Sequence, residues 1–333
     1  MRPLESCGRS ARSSLNGTKH KSQFVMCWLL PIKGLHLATY LASAVTPTGF
    51  AFLKEKTMPN HITNEIKVLG GTNKERLAFI RSITNKHGLI DFNNITQMPK
   101  SMNIDESTDV ENMASAIAGK PMADFWIDEI KTKKEIISDL RSRGMSDSYI
   151  KRVKQHALMR IENKQRHGFY SWYDWSREKW GTKWNAYSIQ MPVKMPKRRI
   201  KWGHKYRHTH VKTYSKRVFK KHLARYAASG APIVIRFETA WASPNPVILD
   251  MSRRFPHLTF DISYADEDMG SNCGKYIITA GSIASSNVAP SYRDQSGEER
   301  RKWRKFAFQL RYPGKTPQQH GMNDQYEYVD DDE

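Results

Sequence analysis

The sequence predicts an α+β protein, with helices on one face of an antiparallel sheet. Three observations predict this class. Residues 231–284 read strand, helix, strand, strand: "APIVIRFETAW", then "SPNPVILDMSRRFP", then "HLTFDISYADED" and "GKYIITAGSIA" joined by Gly, Ser and Asn. Residues 60–69 alternate Ile62, Ile66 and Val68 into the turn Gly70-Gly71, as a half-buried first strand does. A hydrophobic fraction of 39% and an aromatic fraction of 11% over 333 residues suit a chain that buries a core.

The elements follow in order. Thr72, with Glu75 three residues on, is a capping box opening a helix that places Leu77, Ile80 and Thr84 on one side with Phe79 and Ile83 beside them and ends at Gly88. "LIDF" at 89–92 is a short second strand, and "MPKSMN" a loop. Residues 105–166 are helical. One helix runs from about 123 to 143 with Trp126, Ile130, Ile137 and Leu140 inward, and Gly144 separates it from a second. Ser146 caps that second helix, whose Ile150, Val153, Ala157 and Ile161 form one stripe, giving a helical hairpin. Trp172 and Trp175 share a short helix broken at Gly181, and 184–189 alternate as a strand. Residues 215–228 form a helix with Val218, His222 and Tyr226 on one side. Ser243 caps the next helix, Pro246 sits in its first turn and Pro256 stops it. A basic helix over 296–310 and an acidic tail, "VDDDE", close the chain.

Charge is the strongest functional signal. The net charge is +21, yet sixteen Lys or Arg and no Asp or Glu lie between Glu178 and Glu238. Within 194–228 the cations alternate with Trp202, Tyr206, Tyr214, Phe219 and Tyr226, the pattern that pairs phosphates with Lys and Arg and stacks bases on rings. The expected nucleic-acid contacts are Lys197, Arg198, Arg199, Lys201, Lys205 and Arg207, with Trp202 and Tyr206 stacking. RNA or single-stranded DNA is the favoured partner. An anionic protein, or the chain's own acidic tail, is the alternative.

The tryptophans allow two readings. Trp172, Trp175, Trp180 and Trp184 fall within thirteen residues, and Trp241 ends a strand. Packing in a core is the first reading, with Glu238, Asn185 and Thr182 as partners for the indole N–H groups. A ligand or partner surface formed by Trp180, Lys183, Trp184, Asn185, Glu238 and Trp241 is the second; it makes the protein an interaction module engaging a host factor. A third function class is an enzyme acting on a nucleotide or nucleic acid, with Glu238 and Asp261 as acid and base if the fold makes them neighbours. No phosphate-loop, dinucleotide, zincin or nucleophile-elbow pattern is present, and no catalytic residue is assigned. Cys7, Cys27 and Cys273 have no paired spacing, so neither a structural zinc nor a disulfide framework is expected, and a reducing cytoplasm is. His204, His208 and His210 lack metal-ligand spacing; no metal and no cofactor is expected.

Residues 1–57 are expected to stand outside the fold, as an N-terminal extension ahead of Met58. A secretory signal cleaved near Ala42-Ser43-Ala44 is the alternative; a membrane span is interrupted by Pro31, Lys33, His36 and Pro47. The organisation is then an extension (1–57), one α+β domain (58–290) with a helical insertion (105–166) and a basic arm (190–230), and a terminal helix and tail (291–333).

In order along the chain, "MPNHITNEIKVLG" (58–70), "DFNNITQMP" (91–99), "WYDWSREKWGTKWNAY" (172–187), "FETAWASPNPVI" (237–248) and "FPHLTFDISYADED" (255–268) resemble the YubB-type proteins of plasmids, phages and bacterial genomes. The W-G-T-K-W and T-A-W-x-x-P elements are the specific part. The resemblance implies a ferredoxin-like fold, a term of topology with no iron–sulfur cluster, and a mobile-element setting. It carries over no biochemical activity and no catalytic residues. This chain departs from the pattern in residues 1–57 and in a longer basic stretch between Tyr187 and Ile233, which implies that nucleic-acid binding belongs to this member.

Overall fold

The structure, a computed structural model, describes residues 60–122, 130–194, 197–202, 209–214 and 216–329, with 197–202 and 209–214 as backbone. The expectations for residues 1–57, for Trp126 and its neighbours at 123–129, and for the acidic residues 330–333 lie outside these.

In chain order the elements are β1 (His61–Gly70), α1 (Asn73–Ile83), α2 (Thr108–Ala118), α3 (Lys133–Ser142), α4 (Asp147–His167), α5 (Trp172–Lys179), β2 (Tyr187–Gln190), β3 (Lys197–Trp202) and β4 (Thr209–Tyr214). Then come α6 (Lys216–Ala228), β5 (Ile233–Ala240), α7 (Asn245–Arg254), β6 (Leu258–Ala265), β7 (Cys273–Thr279), β8 (Ser282–Val288) and α8 (Gly297–Arg311). Local chemistry sets several of these ends. Thr72 and Glu75 form the reciprocal capping box of α1, and the Ser146 hydroxyl accepts from the Tyr149 N–H at the start of α4.

Six strands make one antiparallel sheet in the order β2-β5-β1-β6-β7-β8. β5 and β6 both run antiparallel to β1 and flank it, with α7 between them in sequence. β1 and β2 flank β5 in the same way, with α1 in their connection. The sequence β1-α1-β2-β5-α7-β6 is therefore a ferredoxin-like β-α-β-β-α-β unit, and β7 and β8 extend its sheet as a meander. Two connections are enlarged. The helices α2 to α5 lie between α1 and β2, and the β3–β4 ribbon with α6 lies between β2 and β5.

One face of the sheet carries the main core: Ile66 and Val68, Ile233, Ile235 and Phe237, Phe260 and Ile262, Tyr276 and Ile278, under Phe79, Ile80 and Ile83 of α1 and Val247, Ile248 and Met251 of α7. This is the expected layer of helices on one face. The other face has a cover of its own at one end, where Trp303, Ala307 and Leu310 of α8 pack on Ala265 and Cys273. The helices α2, α3 and α4 enclose a separate cluster, including Val110, Met113, Leu140, Ile150, Val153 and Ala157.

Four local expectations are corrected. "LIDF" is no strand; Thr84 and Ile90 form an isolated bridge, and the Asp91 carboxylate accepts from the Asn93 N–H to start a 3-10 turn at Phe92. "GKYIITAGSIA" is two strands, because Ala280 (φ 45°) and Gly281 (φ 78°) reverse the chain between β7 and β8. In α6 the buried stripe is Phe219, Leu223 and Ala227, while Val218 and His222 are exposed. Ser243 does not cap α7; its hydroxyl bonds the Tyr276 hydroxyl at 2.9 Å.

Candidate nucleic-acid interface

β3 and β4 pair over six residues, from Lys197↔Tyr214 to Trp202↔Thr209. Because a strand alternates its faces, the register puts Lys197, Arg199 and Lys201 on the same ribbon face as Tyr214, Lys212 and His210. Arg198, Ile200 and Trp202 share the other face with Thr213, Val211 and Thr209. The sequence treats Lys197, Arg198, Arg199, Lys201 and Trp202 as one contact surface; the register divides them between two faces. Lys205, Tyr206 and Arg207 lie outside the described residues.

The helix after the ribbon is held by its apolar side. Phe219, Leu223 and Ala227 are buried, and Arg76 of α1 donates from Nε to the Ala227 carbonyl at 3.2 Å and from its terminal nitrogen to the Ala231 carbonyl. This docking leaves Lys216, Arg217, Lys220 and Lys221 outward, where they line a concavity of about 430 Å³ with Ala224. Helix stability argues against cations at that end, since the first turn carries the positive end of the peptide dipoles. Most other helices here obey the rule: α1, α2, α3, α4, α5 and α8 each have Asp or Glu in the first turn, and α7 has no charge of either sign there. The first turn of α6 has no acidic residue and begins Lys216-Arg217. An anion bound in the concavity would offset both the side-chain repulsion and the dipole. These four cations are absent from the sequence-derived contact set, although their i, i+1, i+4, i+5 spacing within a helix marks them as one patch.

The tryptophan cluster divides. Trp175 and Trp180 are core residues packed edge to face at 5.3 Å, and the Trp180 indole donates to the Thr96 carbonyl at 2.9 Å rather than to Glu238, Asn185 or Thr182. Asn185 is structural too: its amide donates to Asp91 at 2.8 Å and its oxygen accepts from the Phe92 N–H at 3.0 Å. Trp184 and Trp241 are each 38% exposed. Lys183 lies between them, its Nζ 4.5 Å from the Trp241 ring centre, 5.1 Å from Trp184 and 5.8 Å from Tyr173. Tyr173, which the sequence does not single out, completes this cationic–aromatic patch.

Trp241 adopts φ 75°, a conformation that costs a bulky side chain about 1–3 kcal/mol. Its backbone is held there by the Asn60 carbonyl, which accepts from the Trp241 N–H at 2.9 Å, and by Asn272, whose amide donates to the Trp241 carbonyl at 3.2 Å. Trp241→Gly is expected to leave thermal stability within about 1 kcal/mol of the parent, because glycine relieves the backbone as the ring's packing is lost. Differential scanning fluorimetry checks this.

The remaining chemistry is dispersed. Glu238 stands opposite Thr63 on β1 and Asp261 opposite Lys67, so the pair is two strand spacings and four residues apart, roughly 16 Å. The fold therefore does not bring this acid and base together. Glu238 instead lines a cavity of about 200 Å³ with Thr63, Ser188, Gln190, Arg236 and Arg311. Nearby, burial and the charges of Glu238 and Glu267 push the Tyr187 phenol up to about 12. Burial likewise pushes the Cys273 thiol up to about 12, which keeps it protonated and unreactive. Among the described residues no three His, Cys, Asp or Glu side chains form a group suited to a metal ion, and no helix is long and apolar enough to cross a membrane.

No curated protein matches the chain. The crystal structure of a protein api92 from Yersinia pseudotuberculosis is 11% identical, covers 70% of this chain and 99% of its own, and aligns with a TM-score of 0.28. Residues 221–306 match a family model described as the ferredoxin-like domain in Api92-like protein. The stretch from within α6 to within α8 is thus similar to that domain, and it contains the strands β5 to β8.

Proposed function

We propose that the protein binds nucleic acid non-catalytically, through the basic face of the β3–β4 ribbon and the outward cations of α6. The observation that carries this reading is the first turn of α6, where Lys216 and Arg217 oppose the helix dipole and join Lys220 and Lys221 in one concavity. Such an arrangement is costly without an anion and favourable around a phosphate. The alternation of Lys197, Arg199 and Lys201 against Lys212 and His210 supports a second row of phosphate contacts. The resemblance to YubB-type proteins supports a mobile-element setting in the bacterial cytoplasm.

The test is replacement of Lys216, Arg217, Lys220 and Lys221 by glutamine. All four side chains are exposed and two of them oppose the helix dipole, so the free protein is expected to be equally stable or more stable by up to about 1 kcal/mol. Fluorescence anisotropy with labelled RNA and DNA is expected to show weaker binding and a salt dependence shallower by about one per phosphate contact removed. Unchanged affinity would remove α6 from the interface.

A second reading rests on Trp241. A strained, half-exposed tryptophan beside Trp184, Lys183 and Tyr173 suits a protein partner, and the host-factor role belongs to this patch. A partner lost on Trp241→Gly but kept by the glutamine variant would assign the two surfaces to separate tasks.

A further inference from the structure

The sheet has two edges, and only one is blunted. β2 is four residues long and carries Ser188 at φ 49°, a short irregular edge that offers little to a further strand. β8 at the opposite edge is seven residues long, and every one of them is exposed. Natural edges are usually protected by charges, prolines or covering elements. β8 has none of the first two. The chain from Tyr276 to Tyr292 is uncharged over seventeen residues, in a protein whose residues are 26% charged, and Pro290 follows only after the strand. A bulge at Ala284 leaves Ser285 to Val288 in regular register with β7. Ile283 (54% exposed) and Val288 (45%) add apolar surface along the edge. Among the described residues nothing pairs with the outer side of β8.

We infer that β8 pairs antiparallel with β8 of a second copy, joining two six-stranded sheets into one across a two-fold axis. Charge decides the occupant. The uncharged edge gives no electrostatic advantage to an acidic or basic peptide, and it permits two copies to meet without like-charge repulsion. Sheet order does the rest, because β2, from which the chain runs on into the basic segment, is at the opposite edge from β8. In the joined sheet the two β2 strands are eleven strand spacings apart, roughly 50 Å, well beyond the screening length of about 8 Å at physiological salt. Two copies can therefore associate through this edge while the points where their chains enter the basic segments stay far apart. Ser285 and Ser286 are small, so the backbones near the axis approach without bulky side chains between them. The inference holds whatever the basic arm binds.

The test is the mass of the full chain by light scattering, together with hydrogen exchange of the β8 amides as a function of protein concentration. The expected mass at micromolar concentration is twice 38.6 kDa, with β8 amides exchanging more slowly as concentration rises. Ser285→Lys, opposite the uncharged Ile277 within its own copy, is expected to weaken dimerisation at least tenfold without lowering the melting temperature, whereas Ser285→Ala keeps the dimer. A monomer at every concentration, or a dimer without concentration-dependent protection of β8, would overturn the inference. So would a folded lysine variant that dimerises as the parent does.

Discussion

Arg160→Ala is expected to cost about 3–5 kcal/mol, the usual consequence of removing one partner from a buried ionic cluster. The Arg160 side chain is 1% exposed and reaches four groups. One terminal nitrogen donates to both Glu106 oxygens at 2.8 and 2.6 Å, the other to Glu111 at 3.1 Å, and Nε to the Met122 carbonyl at 2.6 Å. The guanidinium also lies 4.7 Å from the Tyr170 ring centre. Truncation leaves two largely buried carboxylates without their cation and a carbonyl without its donor. Arg160 lies in α4, so its contacts tie that helix to the segments at Glu106, Met122 and Tyr170. Urea titration followed by hydrogen exchange checks both parts: a lower midpoint, with amides of α2 and α4 losing protection first. Arg160→Met with Glu106→Gln and Glu111→Gln is expected to recover much of the loss, since no charge is then stranded.

Gly88→Ala is expected to cost about 2–5 kcal/mol, from two independent sources. Gly88 adopts φ 75°, where a Cβ costs roughly 1–2 kcal/mol. The added carbon would also lie 2.7 Å from Cζ of Phe219 and 3.2 Å from two further ring atoms, an overpacking worth about 1–3 kcal/mol. Phe219 is an anchor of α6, so the ring must move and the helix with it. The expected result is a lower melting temperature together with weaker nucleic-acid binding. Phe219→Leu in the same chain is expected to relieve the overlap but not the backbone strain, and a double-mutant cycle separates the two.

Much of the fold is legible in the sequence because local signals and tertiary packing agree. Thr72 with Glu75 and Ser146 at α4 cap helices where the sequence predicts, and the alternation through Ile62, Ile66 and Val68 and through 233–240 marks two central strands. The expectations fail where two local patterns compete. In α6, apolar residues at 218, 219, 223, 226 and 227 support two adjoining stripes, and the core that takes Phe219 and Leu223, with room for the Phe219 ring against Gly88, selects one of them. Ala280 at φ 45° hides a turn that Gly281 alone does not announce. The tryptophans are alike in sequence. Gly181 at φ 76° turns the chain between Trp180 and Trp184, and its Cβ position is filled by Pro246 of α7, a contact between distant segments that no local pattern encodes. The candidate interface was legible as charge but not as shape. Its alternation on β3 and β4 became visible only with the register, and the α6 concavity only with the buried face of that helix fixed.

The most direct measurement is the equilibrium constant for the full chain on single-stranded RNA, single-stranded DNA and duplex DNA, each between 50 and 200 mM salt. If four phosphates are neutralised, affinity is expected to fall roughly 50- to 150-fold across that range. The four-glutamine variant of α6 should show a salt slope shallower by about one per phosphate contact removed, the remainder coming from the ribbon, while melting no lower than the parent. Affinity independent of salt, or absent on all three polymers, would contradict a nucleic-acid interface on the ribbon and α6.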